Sequence, residues 1–120
     1  MTTINRPLDV PASDLSEKLL AQPSAEPLSG DIPVRSRVDF ATEDRSIVSG
    51  IWESEPGVSR WEFITRGELI HVVSGRMTVQ RDGDEPEEIS AGATAYFPLG
   101  WTGVWNVQEK VRKFFVVYKA

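Results

Sequence analysis

The sequence predicts an all-β protein. From about residue 34 onward, short apolar runs alternate with turn-forming residues, and no heptad pattern or internal repeat interrupts this rhythm. The acidic stretch 82–88 lies between two strand-like runs and begins with Asp82 and Gly83, where glycine permits a positive φ. We therefore expect antiparallel strands, with a hairpin tip at this stretch. Its carboxylates would also attract a cation, but a solvated loop is the simpler interpretation.

Residues 1–33 are predicted to form an arm rather than part of the core. They hold five of the eight prolines, at positions 7, 11, 23, 27 and 33, and proline supplies no backbone donor to a strand or helix. Asp14 followed by Glu17 matches a capping box, which predicts a short helix through Leu20 that Pro23 ends. We expect this arm to pack across the barrel that the following residues form, or onto a partner subunit.

The strands are expected within residues 34–120. In chain order they are predicted at residues 34–40, 47–53, 60–64, 68–74, 77–81, 88–89, 94–97, 103–107 and 112–119. Gly75 and Gly92 suit turns between strands, and the sequence Pro98-Leu99-Gly100 suits a tight turn that ends one. The apolar run 114–118 predicts a final strand that is buried on both faces, either in the core or at an interface.

Chain length, net charge and composition limit the number of domains and the kinds of partner that the protein can have. A chain of 120 residues is long enough for one domain with one core, and its net charge of -5 argues against a nucleic-acid partner. No stretch approaches the roughly 20 apolar residues of a membrane span, and the N-terminus lacks the apolar run of a signal peptide. The absence of cysteine excludes disulfides and fits a reducing compartment. We therefore expect a cytoplasmic protein with no membrane or nucleic-acid partner.

Four segments occur in a characteristic order and spacing. They are GIWESEPG at 50–57, ELIHVVSG at 68–75, FPLGWTGVW at 97–105 and VRK at 111–113. Together they resemble the Cupin_3 family of the RmlC-like cupin superfamily, which is related to the ureidoglycine aminohydrolase-like cupins and includes many members of unknown function. The resemblance covers roughly residues 46–119. It implies a double-stranded β-helix, the cupin jelly-roll barrel, as the domain formed by residues 34–120.

The resemblance also locates the positions at which many cupins hold a metal. Glu68 matches the glutamate position, because six residues separate it from Gly75. The three histidine positions fall on residues without an imidazole: Trp61, Phe63 and Gly103, or Glu62 and Ile64 for the first two in a register one residue shorter. Because these residues lack the imidazole donors that transition metals prefer, we expect no tightly held metal and no cofactor.

Several residues expected inside the barrel are candidates for chemistry. A partly desolvated Glu68 would suit acid–base catalysis, or it would pair with Arg60, Arg66 or Arg76 and only stabilise the barrel. Strand alternation places His71, the single histidine, on the opposite face, where packing is expected. The catalytic candidates are Glu68 and Glu62. The ligand-binding candidates are Trp61, Phe63, Glu68, Trp101 and Trp105, although packing in the core or at a dimer interface is the simpler explanation of the tryptophans.

Three functions fit these observations. The first is a cupin that binds a small polar molecule in its barrel, as a homodimer and without a tightly held metal. The second is an enzyme that uses Glu62 and Glu68 on a nitrogenous, ureide-like metabolite, which rests on fold analogy alone. The third is a non-catalytic dimerisation or ligand-sensing module.

Overall fold

The computed structural model describes residues 2–119, so the terminal Met1 and Ala120 lie outside the described residues. Its elements are a 3-10 turn at Ala12–Asp14 and the strands β1 (Ser16–Leu19), β2 (Glu26–Pro27), β3 (Pro33–Ala41), β4 (Ile47–Ser54), β5 (Gly57–Glu62), β6 (Arg66–Arg81), β7 (Glu87–Ser90), β8 (Thr94–Phe97) and β9 (Thr102–Lys119). Within residues 2–119, no helix has the length and apolarity that a bilayer crossing requires.

Two long, bent strands join the sheet into a two-layered roll. The first half of β9 pairs with β5 and its second half pairs with β4, while β6 pairs antiparallel along most of β9. On its other edge β6 pairs with β8 and then with β7. The outer strands β3 and β1 follow β4, and β2 follows β5. This curled antiparallel arrangement confirms the predicted all-β cupin barrel.

The bend in β6 lies at Gly75. We expected Gly75 to form a turn between two separate strands, but residues 66–81 form one strand whose pairing register shifts between Val72 and Met77. Gly75 has φ +87°, and a Cβ there would lie 2.1 Å from the carbonyl oxygen of Lys110 on β9. A glycine bulge bends a strand without ending its ladder, which is why the prediction of two strands was wrong. The strands predicted at 103–107 and 112–119 are likewise continuous in β9.

The short helix predicted in the arm is only a 3-10 turn, and its predicted extension through Leu20 is wrong. Only Ala12–Asp14 form a 3-10 turn, and the following residues form β1, which pairs antiparallel with β3. The Nε of Arg35 on β3 donates to the Glu17 carboxylate at 2.8 Å. The segment between Pro11 and Pro23 is shorter than the roughly 12–15 residues that an isolated helix needs, so strand pairing prevails over the capping pattern.

The arm packs across the barrel, as one of the two sequence-based alternatives proposed. Its apolar residues Leu15, Leu20, Ala25 and Ile32 are buried, and β2 pairs with β5. Leu20, Ala25 and Ile32 pack in the hydrophobic core, so the prediction that residues 1–33 lie outside the core was wrong. The sequence-based turns also occur, since Gly83, Gly92 and Gly100 all have positive φ between strands.

An aromatic stack fills the barrel interior. The ring centroids of Trp61 and Trp105 lie 3.9 Å apart, and those of Phe63 and Phe97 lie 5.4 Å apart. All four residues are buried, together with Ile70, Val72 and Met77. Large aromatic rings held by mutual packing form a rigid wall, and this wall supports the site described next.

Candidate functional site

A small cavity opens between the two layers of the barrel. Its volume is about 160 Å³, and it is lined by Ser24, Trp52, Trp61, Arg66, Glu68, Lys113, Phe115 and Val117. The strand registers explain this grouping, because Trp52 on β4 pairs with Lys113 on β9, and Glu68 on β6 pairs with Val117. Directly paired residues project to the same face of a sheet. The cavity is therefore assembled by β4, β5, β6 and β9, with Ser24 contributed by the arm.

A buried ion pair lies at the cavity wall. The Nζ of Lys113 donates to Oε2 of Glu68 at 2.5 Å, with only 2% and 5% of the two side chains exposed. The Nζ also lies 4.4 Å from the ring centroids of both Trp52 and Trp105, within the range of a cation–π interaction. Burial lowers the pKa of Lys113 because the ammonium loses its hydration, while the Glu68 carboxylate opposes that shift. The cavity thus contains a fixed, internally neutralised pair of charges.

Arg66 is a second cation in the cavity. Its guanidinium lies 5.6 Å from the ring centroid of Phe63, and its Nη2 donates to the carbonyl oxygen of Ser24 at 3.3 Å. Among residues 2–119, no carboxylate lies within ion-pair distance of this half-buried arginine. No carboxylate of the described residues therefore pairs with its positive charge.

The partner of Glu68 differs from the arginines expected from the sequence. Arg60 binds Asp82 at 2.8 Å, and Arg76 lies 3.4 Å from Glu109. The prediction of an arginine partner was therefore wrong among the described residues. Arg60 and Arg76 pair with other carboxylates, and Arg66 lines the same cavity as Glu68 but donates to the carbonyl oxygen of Ser24. Lys113 faces the interior and satisfies Glu68 instead.

Of the two residue pairs offered for the first two histidine positions, only Trp61 and Phe63 lie inside the barrel. These two residues are 3% and 0% exposed, whereas the alternative pair, Glu62 and Ile64, is exposed to solvent. The Oε2 of Glu62 lies 3.8 Å from a guanidinium nitrogen of Arg60 on the outer surface. The structure therefore does not bring Glu62 together with Glu68, because neighbouring residues on a strand project to opposite faces.

The residues at the metal-binding positions do not fit a transition metal. Trp61 and Phe63 have no lone pair to donate. A Cβ at the third position, Gly103, would lie 2.2 Å from the carbonyl oxygen of Gln80, so no side chain fits there. In the described part of the chain, no three His, Cys, Asp or Glu side chains are grouped to hold a metal ion. The one matching carboxylate, Glu68, is bonded to an ammonium.

The other aromatic candidates divide between the cavity and the core. Trp61 lines the cavity, and its Nε1 donates to Oγ of Ser59 at 2.8 Å. Phe63 and Trp105 stack behind it, with centroid distances of 6.0 and 3.9 Å from Trp61. Trp101 packs at 4.9 Å against Phe97 and lines a different cleft, near the β6–β7 hairpin. Of the predicted ligand-binding residues, Trp61 and Glu68 line the cavity directly.

Lys113 lines the cavity but was not identified as a site residue from the sequence, and Arg66 was considered only as a possible partner of Glu68. Lys113 is detectable in principle, since Lys113, Phe115 and Val117 alternate along the last strand and share one face. A lysine on the face that packs into an apolar barrel requires a buried partner. No comparable pattern marks Arg66, which lies at the first position of β6.

His71 lies on the outer face of β6, as alternation predicts. It pairs in register with Phe114 of β9 and is half-buried, whereas Glu68, Ile70 and Val72 are buried on the inner face. Residues 5–9 of the arm border the same outer surface as His71 and Phe114. The single histidine is therefore separated from the cavity by the sheet itself.

Comparisons with known proteins agree with the cupin fold. Residues 41–115 match the model of the Cupin_3 family, described as the EutQ-like cupin domain. The EutQ protein of Clostridium difficile is 23% identical, with a TM-score of 0.62 over 74% of this chain and 70% of its own. A DUF861 protein of unknown function from Pseudomonas syringae pv. tomato is also 23% identical, with a TM-score of 0.72 over 86% of this chain and 43% of its own.

A second DUF861 protein, from Thermotoga maritima, is 31% identical, with a TM-score of 0.51 over 54% of this chain and 73% of its own. No curated protein sequence matches the chain. The family match covers more than half of the 120 residues and contains all four of the segments that suggested the family. The chain belongs to the Cupin_3 family of EutQ-like cupin domains.

Proposed function

We propose that this cupin domain binds a small polar molecule in the cavity beside Glu68 and Lys113, without a tightly held metal. One observation carries the proposal: three charged side chains, Arg66, Glu68 and Lys113, converge on a pocket whose other walls are largely aromatic and aliphatic. A few polar groups set in an apolar wall are typical of small-molecule sites. The cavity volume of about 160 Å³ lies below the roughly 300–1,000 Å³ of sites for drug-sized ligands, which favours a compact metabolite.

Lys113 takes the place of a metal as the fixed positive charge beside Glu68. An ammonium has three donors, and Glu68 accepts one of them at 2.5 Å. The faces of Trp52 and Trp105 stabilise its charge from two sides. This arrangement supports recognition of the ligand by hydrogen bonds from the Lys113 ammonium rather than by coordination to a metal ion.

The experiment is a thermal-shift screen of small polar metabolites in the presence of EDTA. We expect ligands that raise the melting temperature of the wild-type protein and fail to raise that of the double variant Glu68→Leu/Lys113→Met. Ile64→Ala serves as the control, because Ile64 is 67% exposed and does not line the cavity. Ligands that bind only when metal is added, or that bind the double variant equally well, contradict the proposal.

We also propose that a second copy of the chain covers an apolar patch on the outer face of the sheet. This patch comprises Phe40, Ile47, Leu69, Tyr96 and Val116. The strand registers align most of the patch in one row across the sheet. Leu69 pairs with Tyr96 on one side and with Val116 on the other. Val116 pairs in turn with Ser49, which pairs with Phe40. Phe40, Leu69 and Tyr96 are 51%, 41% and 56% exposed. Contiguous exposed apolar surface of this kind is typical of subunit interfaces.

The proposed partners are thus a small-molecule ligand and a sister chain, with no role for nucleic acid or membrane. The net charge of -5 disfavours binding to a phosphate backbone. We further propose a cytoplasmic location, which a chain without cysteine fits.

A further inference from the structure

We infer that the ligand is a small monocarboxylate whose carboxylate binds Arg66 and whose flat, apolar body contacts the aromatic and aliphatic wall. This inference rests on the function proposed above and names the chemical class that the cavity selects.

The charge balance of the cavity is the first argument. Glu68 and Lys113 neutralise each other across 2.5 Å, so the pair offers a ligand hydrogen bonds but no net charge. Arg66 has only a carbonyl oxygen as its partner among the described residues. One net positive charge therefore remains in the cavity, and a ligand with a single negative charge balances it. A dianion would bring a second charge for which no cation is left.

The geometry of Arg66 is the second argument. A guanidinium presents five donors in a planar fork that matches a carboxylate, and the single 3.3 Å bond to Ser24 uses one of them. The guanidinium is also anchored over the Phe63 ring, which restricts its motion before a ligand arrives. An anchored fork loses less conformational entropy on binding than a free arginine side chain.

The cavity walls define the rest of the ligand. Apolar surface beside Arg66 is presented by Trp52, Trp61, Phe115 and Val117. The cavity volume of about 160 Å³ admits only a compact ligand. Flat rings stack on tryptophan faces and lose few rotamers when they do. Benzoate has these features, and benzamide has the same shape without the charge. This pair of probes separates recognition of charge from recognition of shape.

The test is calorimetric titration of the full chain with benzoate and with benzamide at pH 7. A charge-assisted hydrogen bond contributes about 1.5–3 kcal/mol, so we expect benzoate to bind roughly 10- to 100-fold more tightly than benzamide. Arg66→Gln should abolish this difference, and Arg66→Lys should recover part of it. Arg76→Gln is the matched control, because Arg76 pairs with Glu109 on the surface and does not line the cavity.

The outcomes separate this inference from the proposed function. If benzamide binds as tightly as benzoate, or if Arg66→Gln binds benzoate as well as the wild type, the carboxylate class is wrong while a small-molecule site remains. If benzoate does not bind but the metabolite screen yields neutral ligands, the inference is likewise overturned. If neither probe binds and the screen yields no ligand, both proposals fail. Melting curves of Arg66→Gln establish that any loss of binding occurs in a folded protein.

Discussion

Lys113 and Glu68 form a 2.5 Å salt bridge although 45 positions separate them in the sequence, and almost none of either side chain is exposed. Removing two charges from water costs free energy that their attraction only partly repays. Deleting one partner leaves the other buried without a counter-charge. The pair therefore constrains which residues the barrel tolerates at both positions.

We predict that Lys113→Met lowers the free energy of unfolding by about 3–5 kcal/mol, because it leaves the Glu68 carboxylate buried and unpaired. The double variant Glu68→Leu/Lys113→Met should lose much less, since two apolar side chains of similar volume need no counter-charge. Urea denaturation of the wild type, both single variants and the double variant measures the coupling. A double variant as unstable as the sum of the single variants would show that the two charges do not depend on each other.

The bend at Gly75 yields a second prediction, with Gly83 as its matched control. Both glycines have nearly the same backbone conformation, with φ values of +87° and +88°. A Cβ at position 75 would lie 2.1 Å from the Lys110 carbonyl oxygen, whereas no described atom lies within 4 Å of a Cβ at position 83.

Gly83→Ala should therefore cost only the left-handed backbone penalty of about 1–2 kcal/mol. Gly75→Ala adds a steric clash with a neighbouring strand and should cost more than about 3 kcal/mol. Thermal and urea unfolding measure both values. Equal losses for the two variants would mean that the close approach of β6 and β9 at this bend does not matter for stability.

Asp82 gives the protein an acid-sensitive contact. Hydrogen bonds from Arg60, and then from Thr102, lower the pKa of Asp82 from 3.8 to about 2. The folded state thus binds this proton less readily than the unfolded chain, so the contact stabilises the fold above about pH 4 and is lost as the pH falls through about 2.

We expect Asp82→Asn to lower the urea midpoint at pH 6 and to converge with the wild type toward pH 2. Asp84→Asn, at an exposed carboxylate of the same turn, is the control. A constant difference between Asp82→Asn and the wild type from pH 6 to pH 2 would exclude protonation of Asp82 as the cause.

The apolar patch predicts the oligomeric state. The wild-type chain should sediment as a dimer, and Leu69→Glu should sediment as a monomer, because a charge at the centre of the patch must be desolvated in the interface. Ile64→Glu introduces the same charge at a site that is 67% exposed outside the patch, and should remain dimeric. Analytical ultracentrifugation at micromolar concentration distinguishes these states. A monomeric wild type, or a dimeric Leu69→Glu variant, would contradict the proposal.

Much of the fold was predictable from residue patterns. Period-2 alternation identified the inward face of Glu68, Ile70 and Val72, and the turn glycines at 83, 92 and 100 matched the ends of strands. These features are local, since a strand's pleat and a glycine's φ depend on adjacent residues only. Local patterns misled where tertiary pairing was stronger, as in the predicted helix near Asp14 and the predicted turn at Gly75.

The composition of the site depended on closure of the barrel. Alternation along a strand determines the face of the sheet on which a side chain lies, and it separated Glu68 from His71. The family resemblance offered Trp61 and Phe63 as barrel residues but left Glu62 and Ile64 as an alternative. Alternation does not determine which strand lies opposite or in what register. Pairing of β6 with β9 sets Glu68 beside Val117, and pairing of β4 with β9 sets Trp52 beside Lys113. The partner of the buried carboxylate, and hence the charge of the cavity, follows from those long-range registers alone.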